Sequence, residues 1–410
     1  MFYREAGQFK STYADDMAIF PIRQDRIALY ALLAFAFVGV PLLAQFDVGM
    51  FGNDYIFKGI LIPFLILALG AVGLNILTGY CGQISLGAGA FMAIGAYAAY
   101  NFSLRVPGIP LLLSILLGGG AAALVGILFG IPSLRIKGLY LAVATLAAQF
   151  FFDWLFIRVK WFTNYTPSGS VTAPELNVFG WVVSTPVEKY LFTLGVVTVL
   201  ALVAKNLVRG NLGRQWMAIR DMDIAAEIMG IRPLYAKLTA FAISSFFIGI
   251  AGALWAFIHL GAWEPLAFSI DRSNQLLFMI IIGGLGSILG SFLGAGFLWI
   301  LPILLDQAPR LMGVVFMIGF AGTAIALIAG LIGRDIKIWI RALLVLGLGG
   351  LMYWDYVTFF TGNVSVEVVT HLVSIITGSL ICYLLIVEPH GFARLWALTK
   401  EKLRLWPFPY

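Results

Sequence analysis

Runs of about twenty apolar residues recur along this chain with short polar gaps between them, and a helix of that length matches the roughly 30 Å of hydrocarbon in a bilayer. The runs fall at residues 27–43, 59–77, 86–104, 111–131, 138–157, 190–207 and 238–260, then at a Gly-rich stretch, 276–305, and again at 311–332, 342–360 and 372–387. Charged residues make up only 11% of the 410, against about 25% in soluble domains. Water cannot be the main solvent. Period-two alternation is absent, which excludes a membrane barrel. The expected fold is therefore an all-α polytopic membrane protein with about ten full spans plus a Gly-rich helical hairpin.

Lys and Arg in short loops are retained on the cytoplasmic side. The gap 208–237 is the richest, with Arg209, Arg214, Arg220, Arg232 and Lys237, so it is placed in the cytoplasm. Counting back through the spans puts the amino terminus there too, and Arg135 and Lys137 land on the same side. The expected organisation is a cytoplasmic N-terminal tail at 1–26, with no removable signal peptide evident, a transmembrane domain at 27–387, and a cytoplasmic C-terminal tail at 388–410 bearing Arg394, Lys400, Lys402 and Arg404. Both termini lie inside only if 276–305 crosses an even number of times. We therefore expect two short helices there, with a break near Gly283 to Gly290. The loop 158–189 is the one substantial exterior segment, either a docking surface or a solvated connection.

Several chemistries lack their residues. No GxxxxGK[ST] phosphate loop occurs, so no ATP site is expected. Cys81 and Cys382 sit in separate apolar stretches, and His259, His371 and His390 occur singly. Neither a disulfide framework nor a metal site is expected, and no cofactor. The net charge of +6 is scattered through the gaps rather than gathered on one face, which argues against nucleic acid. Asp153, Lys205, Glu264 and Asp306 lie near span ends, so a proton- or ion-coupling group at mid-bilayer is not expected. The span interiors carry neutral polar residues instead, chiefly Asn75, Gln83, Ser85, Thr145 and Gln149, candidates to line a translocation path. Energy must then come from elsewhere, or the protein is a passive pore.

The segment Gly213 to Gly230 mixes Arg214, Arg220, Asp221, Asp223 and Glu227 with Trp216, Met217, Ile219, Ile224, Ile228 and Met229. Asp223 is expected to cap a short helix from Ile224 to Met229, ended by Gly230 and Pro233. Apolar residues exposed in a cytoplasmic loop fit a partner surface or, alternatively, a helix lying against lipid headgroups.

The core Ala225-Ala226-Glu227-x-x-Gly230 resembles the coupling-loop motif of ABC importer permeases. The string Gly213 to Ile231 is similar to the LivM-type permeases of branched-chain amino acid ABC importers. So are Leu74 to Gly87 (LNILTGYCGQISLG), Leu134 to Leu146 (LRIKGLYLAVATL), and Gly283-Gly284-Leu-Gly286-Ser287 with Gly290 and Gly294, all in family order. The resemblance implies a multi-pass subunit of the cell inner (plasma) membrane that moves branched-chain or related neutral amino acids by alternating access. Its partners would be a second, LivH-like permease, two cytoplasmic ATPase subunits that carry out all ATP hydrolysis, and a periplasmic substrate-binding protein. Coupling to the ATPases would fall to Arg214, Arg220, Asp221, Ile224, Ala225, Ala226, Glu227, Ile228 and Gly230. Gly79, Gly82, Gly87, Gly283, Gly284 and Gly286 would let helices approach closely. The alternative is a permease of the same family for urea, short amides or another amino acid. A stand-alone carrier or channel and a non-transporting scaffold are the rival classes. Two features depart from the family: 311–360 adds apolar material for two further spans, and Cys81 stands where a small residue is common.

Overall fold

The computed structural model describes residues 23–46, 54–133, 139–303 apart from 167, 175, 179 and 180, and 391–405, with a few isolated positions between 375 and 386. The expected spans at 311–332, 342–360 and 372–387, Asp306, Arg135, Lys137 and most of the N-terminal tail lie outside, or almost wholly outside, the described residues. The chain divides into two compact units, Met1–Leu298 with Leu385–Tyr410, and Trp299–Leu384. Nearly all described residues belong to the first.

The protein is helical and polytopic. In chain order the helices are α1 (Arg26–Gln45), α2 (Ile56–Tyr80), α3 (Ala88–Arg105), α4 (Leu111–Ser133), α5 (Leu139–Arg158), α6 (Pro186–Arg209), α7 (Asn211–Asp221) and α8 (Asp223–Ile228). They continue with α9 (Pro233–Leu260), α10 (Ile270–Gly283), α11 (Ile288–Ile303) and α12 (Gly391–Leu405). Among the described residues, seven helices are long and apolar enough to cross a membrane: α1, α2, α4, α5, α6, α9, and α10 with the 3-10 turn that precedes it. The amphipathic pair α7 and α8 fills the gap where the basic residues cluster. Pro186, Pro233 and Pro265 each open a helical segment, where a missing N–H leaves nothing unpaired. Thr185 and Glu188 form a reciprocal capping box at the start of α6.

At the centre α9 packs against α2, α3 and α4, α4 also lies against α3, and α6 lies against α2. Glycine makes this closeness possible. Gly95 of α3 rests directly on Gly249 of α9, and Gly252 of α9 rests on the backbone of Met92. Any side chain at these points would collide with main chain, so small residues set the helix spacing where lipid supplies no hydrophobic drive. Around this centre, Leu124, Leu128, Val143 and Trp154 are among the large apolar residues left exposed on α4 and α5, as a lipid-facing surface requires.

Opposite ends of the bundle have different linkers. At one end, the segment between α5 and α6 carries β1 (Val171–Thr172), which pairs antiparallel with β4 (Ala262–Trp263) just after α9; β2 (Asn177–Val178) pairs with β3 (Trp181–Val182). Trp263 is buried against Tyr97, Tyr100 and Phe257, and Arg105 stacks on Trp161 at 4.0 Å. At the other end lie α7 and α8.

Two sequence expectations change in detail. The Gly-rich hairpin begins earlier than 276, and its first arm is not short: residues 265–283 form a helical segment long and apolar enough to cross a membrane. The polar cluster Asp271 to Gln275 hid it, because Arg272 lies 4.3 Å over the Trp255 indole and donates to Gln275 at 2.6 Å. Nor does Asp223 cap α8. Its carboxylate instead accepts from Lys237 of α9 at 2.6 Å, because a charged amine nearby is a stronger partner than the backbone N–H groups of a six-residue helix.

Candidate functional site

Between α2 and α3 the chain is not helical. The last turn of α2, Ile76–Tyr80, is π-helical, and residues 81–87 then run without regular structure before α3 starts at Ala88. Backbone in this state, inside a bundle of spans, needs a partner for every donor and acceptor. The neighbouring helices supply many of them with neutral side chains. The amide of Gln83 donates to the Leu77 carbonyl at 3.0 Å, and its carbonyl accepts from the Thr78 hydroxyl at 3.1 Å. Leu86 donates to Thr145 Oγ1 at 2.9 Å and Gly87 to Ser85 Oγ at 3.4 Å. At the first turn of α3, Gly89 donates to Ser273 Oγ at 2.7 Å and Ala90 to Gln149 Oε1 at 2.6 Å.

Gln149 is fully committed. Its Oε1 also accepts from Ser273 at 3.0 Å, and its Nε2 donates to Asp153 at 2.9 Å and to the Phe268 carbonyl at 3.0 Å. One side chain of α5 thus ties the start of α3 to the approach of α10.

A second break separates α10 from α11, and Asn75 holds it. Asn75 Nδ2 donates to the Ser287 carbonyl at 2.9 Å and Ser291 Oγ at 2.8 Å, while Oδ1 accepts from the Gly286 amide at 2.9 Å. Gly284 and Gly286 have φ of +113° and +75°, a region that L side chains avoid. Gly79 lies against the Gly286 amide, and Gly283 against Gly290 and Gly294, main chain on main chain.

The two breaks meet the basic loop at one residue. Arg220, at the end of α7, donates through Nη1 to the Gly79 carbonyl at 3.0 Å and pairs with Asp221 at 2.9 Å. Gly82 and Gly286 both lie beside its side chain. The Cys81 thiol in the linker after α2 is fully buried.

Four of the proposed path residues, Asn75, Ser85, Thr145 and Gln149, are thus buried and bonded to backbone at the breaks. The half-buried Gln83 and the exposed Ile84 and Gly82 are what the first break presents outward. Gly87 lies against the Thr145 carbonyl. Ser273 belongs to this network and was missed in the sequence, where it stood among residues taken for a loop.

In the basic loop, Trp216 is fully buried, donating to Thr239 at 3.2 Å, and Ala226 is fully buried too. Ala225 is half-buried, and Arg214, Asp221, Glu227 and Gly230 are exposed. Ile224, Ile228 and Met229 are 71%, 82% and 70% exposed. Gly230 turns the chain at φ +88°. Among the described residues no three His, Cys, Asp or Glu side chains gather as a metal site would require.

Residues 56–320 match the family model described as "Branched-chain amino acid transport system / permease component". The "High-affinity branched-chain amino acid transport system permease protein LivM" of Escherichia coli K12 is 33% identical over 248 residues, covering 54% of this chain and 57% of that protein. The protein of the same name from Salmonella typhimurium LT2 matches to the same extent. The chain thus spans little more than half the length of these relatives. No solved structure matches it.

Proposed function

From the premise that the chain belongs to the branched-chain amino acid transport system permease component family, we propose that it is the permease subunit of an ATP-driven importer for branched-chain or related neutral amino acids. The observation that carries this reading is the bridge at Arg220, where the loop with the exposed apolar helix is hydrogen-bonded to the broken end of α2.

A bare apolar helix of six residues has no use for its own exposure; a partner does. Ile224, Ile228 and Met229 are the anchor that two cytoplasmic ATPases would grasp, with Arg214 and Glu227 as the polar rim. Trp216, Ala226 and the Lys237–Asp223 pair fix α7 and α8 to α9, so a push on α8 moves the loop as one piece and reaches Gly79 through Arg220. Irregular backbone at Gly82 to Ile84 belongs against protein or water, not lipid. That face is where a second, LivH-like permease would complete the path, between inward- and outward-open states. A periplasmic binding protein would deliver cargo at the opposite end, where β1 and β4 pair. This reading puts the protein in the cell inner membrane with both termini and the loop 208–237 in the cytoplasm. It leaves ATP hydrolysis to the partners.

Uptake of labelled leucine into proteoliposomes, with the second permease, the ATPases and the binding protein present, tests it. The double variant Glu227→Ala, Gly230→Val is expected to insert normally and to lose uptake. Uptake at the unmodified level by that variant, or accumulation by this chain alone without nucleotide, overturns the proposal.

A further inference from the structure

Helix α12 lies beyond residue 320, where the family match ends. Its first residue is seated on the second break. Gly391 adopts φ +70°, and a Cβ there would sit 2.5 Å from the Ile282 carbonyl and 2.7 Å from the Gly284 amide. Phe392 then meets Phe297 edge-on, ring centroids 5.1 Å apart. The helix is therefore rooted at the end of α10, on the side of the bundle where Arg220 adjoins Gly286.

Past that root the helix leaves apolar surface bare. Leu395, Trp396 and Leu398 are 39%, 43% and 40% exposed, and at 100° per residue Phe392, Leu395, Trp396 and Thr399 share one stripe. The sequence from Gly391 to Leu405 also carries Arg394, Lys400, Lys402 and Arg404 against a single acid, Glu401. An amphipathic helix with a net positive charge, starting at the end of a membrane span, matches a surface that offers hydrocarbon beneath a sheet of negative charge.

We infer that α12 lies on the bilayer surface and binds the anionic phospholipid headgroups of that leaflet. Because Gly391 rests on Gly284, lipid that holds α12 down also braces the break between α10 and α11. This inference does not depend on the cargo or on transport.

The test uses the full chain with Cys382→Ser and Thr399→Cys, an environment-sensitive fluorophore on the new thiol, in nanodiscs of phosphatidylcholine or of a 7:3 mixture with phosphatidylglycerol; buried Cys81 stays unlabelled. In the anionic discs the emission is expected to shift to the blue and to resist an aqueous quencher, with the effect lost in high salt. Lys400→Gln, Lys402→Gln and Arg404→Gln should each lower docking about fivefold, the equivalent of ~1 kcal/mol per basic residue near an anionic surface. Equal emission in the two lipids, which needs no charge variant to observe, overturns the inference. So does docking that arises only when ATPase subunits are added, which would make α12 a protein-binding helix.

Discussion

The linker after α2 and the short helix α8 break the usual rules in opposite directions. In the first, backbone deep in the bundle is irregular, yet Thr78, Thr145, Gln149 and Ser273 satisfy it from within the chain. In the second the backbone is regular, yet Ile224, Ile228 and Met229 are 71%, 82% and 70% exposed. One region is held in shape largely by its own side chains; the other leaves its apolar side chains exposed. Internal completion marks a part that must hold its shape, and exposure of apolar side chains marks a part that must be held by something else.

If that contrast is right, substitutions in the two regions should differ in what they damage. Asn75→Leu has the largest effect on stability. It strips the Gly286 amide of its partner and takes one hydrogen bond each from the Ser287 carbonyl and Ser291 Oγ, which stay bonded to one another; at about 1–3 kcal/mol for a buried group left unsatisfied a loss of about 3 kcal/mol is expected, with uptake abolished. Thermal unfolding in detergent measures it. A stable Asn75→Leu protein would show that the breaks do not depend on side-chain support.

Lys237→Met comes next. The pair with Asp223 is partly exposed on the acid side, so solvent weakens its worth, and about 1 kcal/mol is expected, with α8 loosened from α9. Faster proteolysis within 222–232 reports the loosening; an unchanged digestion pattern would remove this pair from the lever.

The smallest effect on stability is that of Ile228→Ser. At 82% exposed the side chain supports nothing in this chain, so the melting point stays within the ~0.5 kcal/mol typical of surface changes. Uptake by the assembled transporter should nevertheless fall by tenfold or more, since losing a buried interface anchor costs about 2 kcal/mol. A variant that melts early but transports well would reverse the roles of the two regions.

Much of the helical layout was legible because a helix in lipid declares itself by length and apolarity alone: α1, α2, α4, α5, α6 and α9, each long and apolar enough to cross a membrane, fall on the expected runs to within a few residues, whereas α3, on the run 86–104, is a helix that does not meet that measure. What could not be read was which polar residues belong to a helix. Arg272 and Ser273 looked like loop because sequence shows neither the indole under the guanidinium nor the Gly89 amide that claims the hydroxyl. Asp223 was assigned to a cap for the same reason: Lys237 is fourteen positions away and becomes its neighbour only when α9 folds back. Asn75, Thr145 and Gln149 stand out in the sequence as neutral polar groups within apolar runs. Their partners are backbone atoms, which leave no trace in composition. Gly79 and Gly286 were legible as glycine, but not as contacts of one another.

The π turn at Ile76–Tyr80 carries one residue more than an α-helical register needs. Were that surplus expelled toward the linker, the turn would tighten and everything beyond it would swivel by about 100°, carrying the Gly79 carbonyl away from Arg220. A helix with slack wound into it resembles a spring with one loose coil: a modest tug on its end is taken up by rotation before any span has to slide.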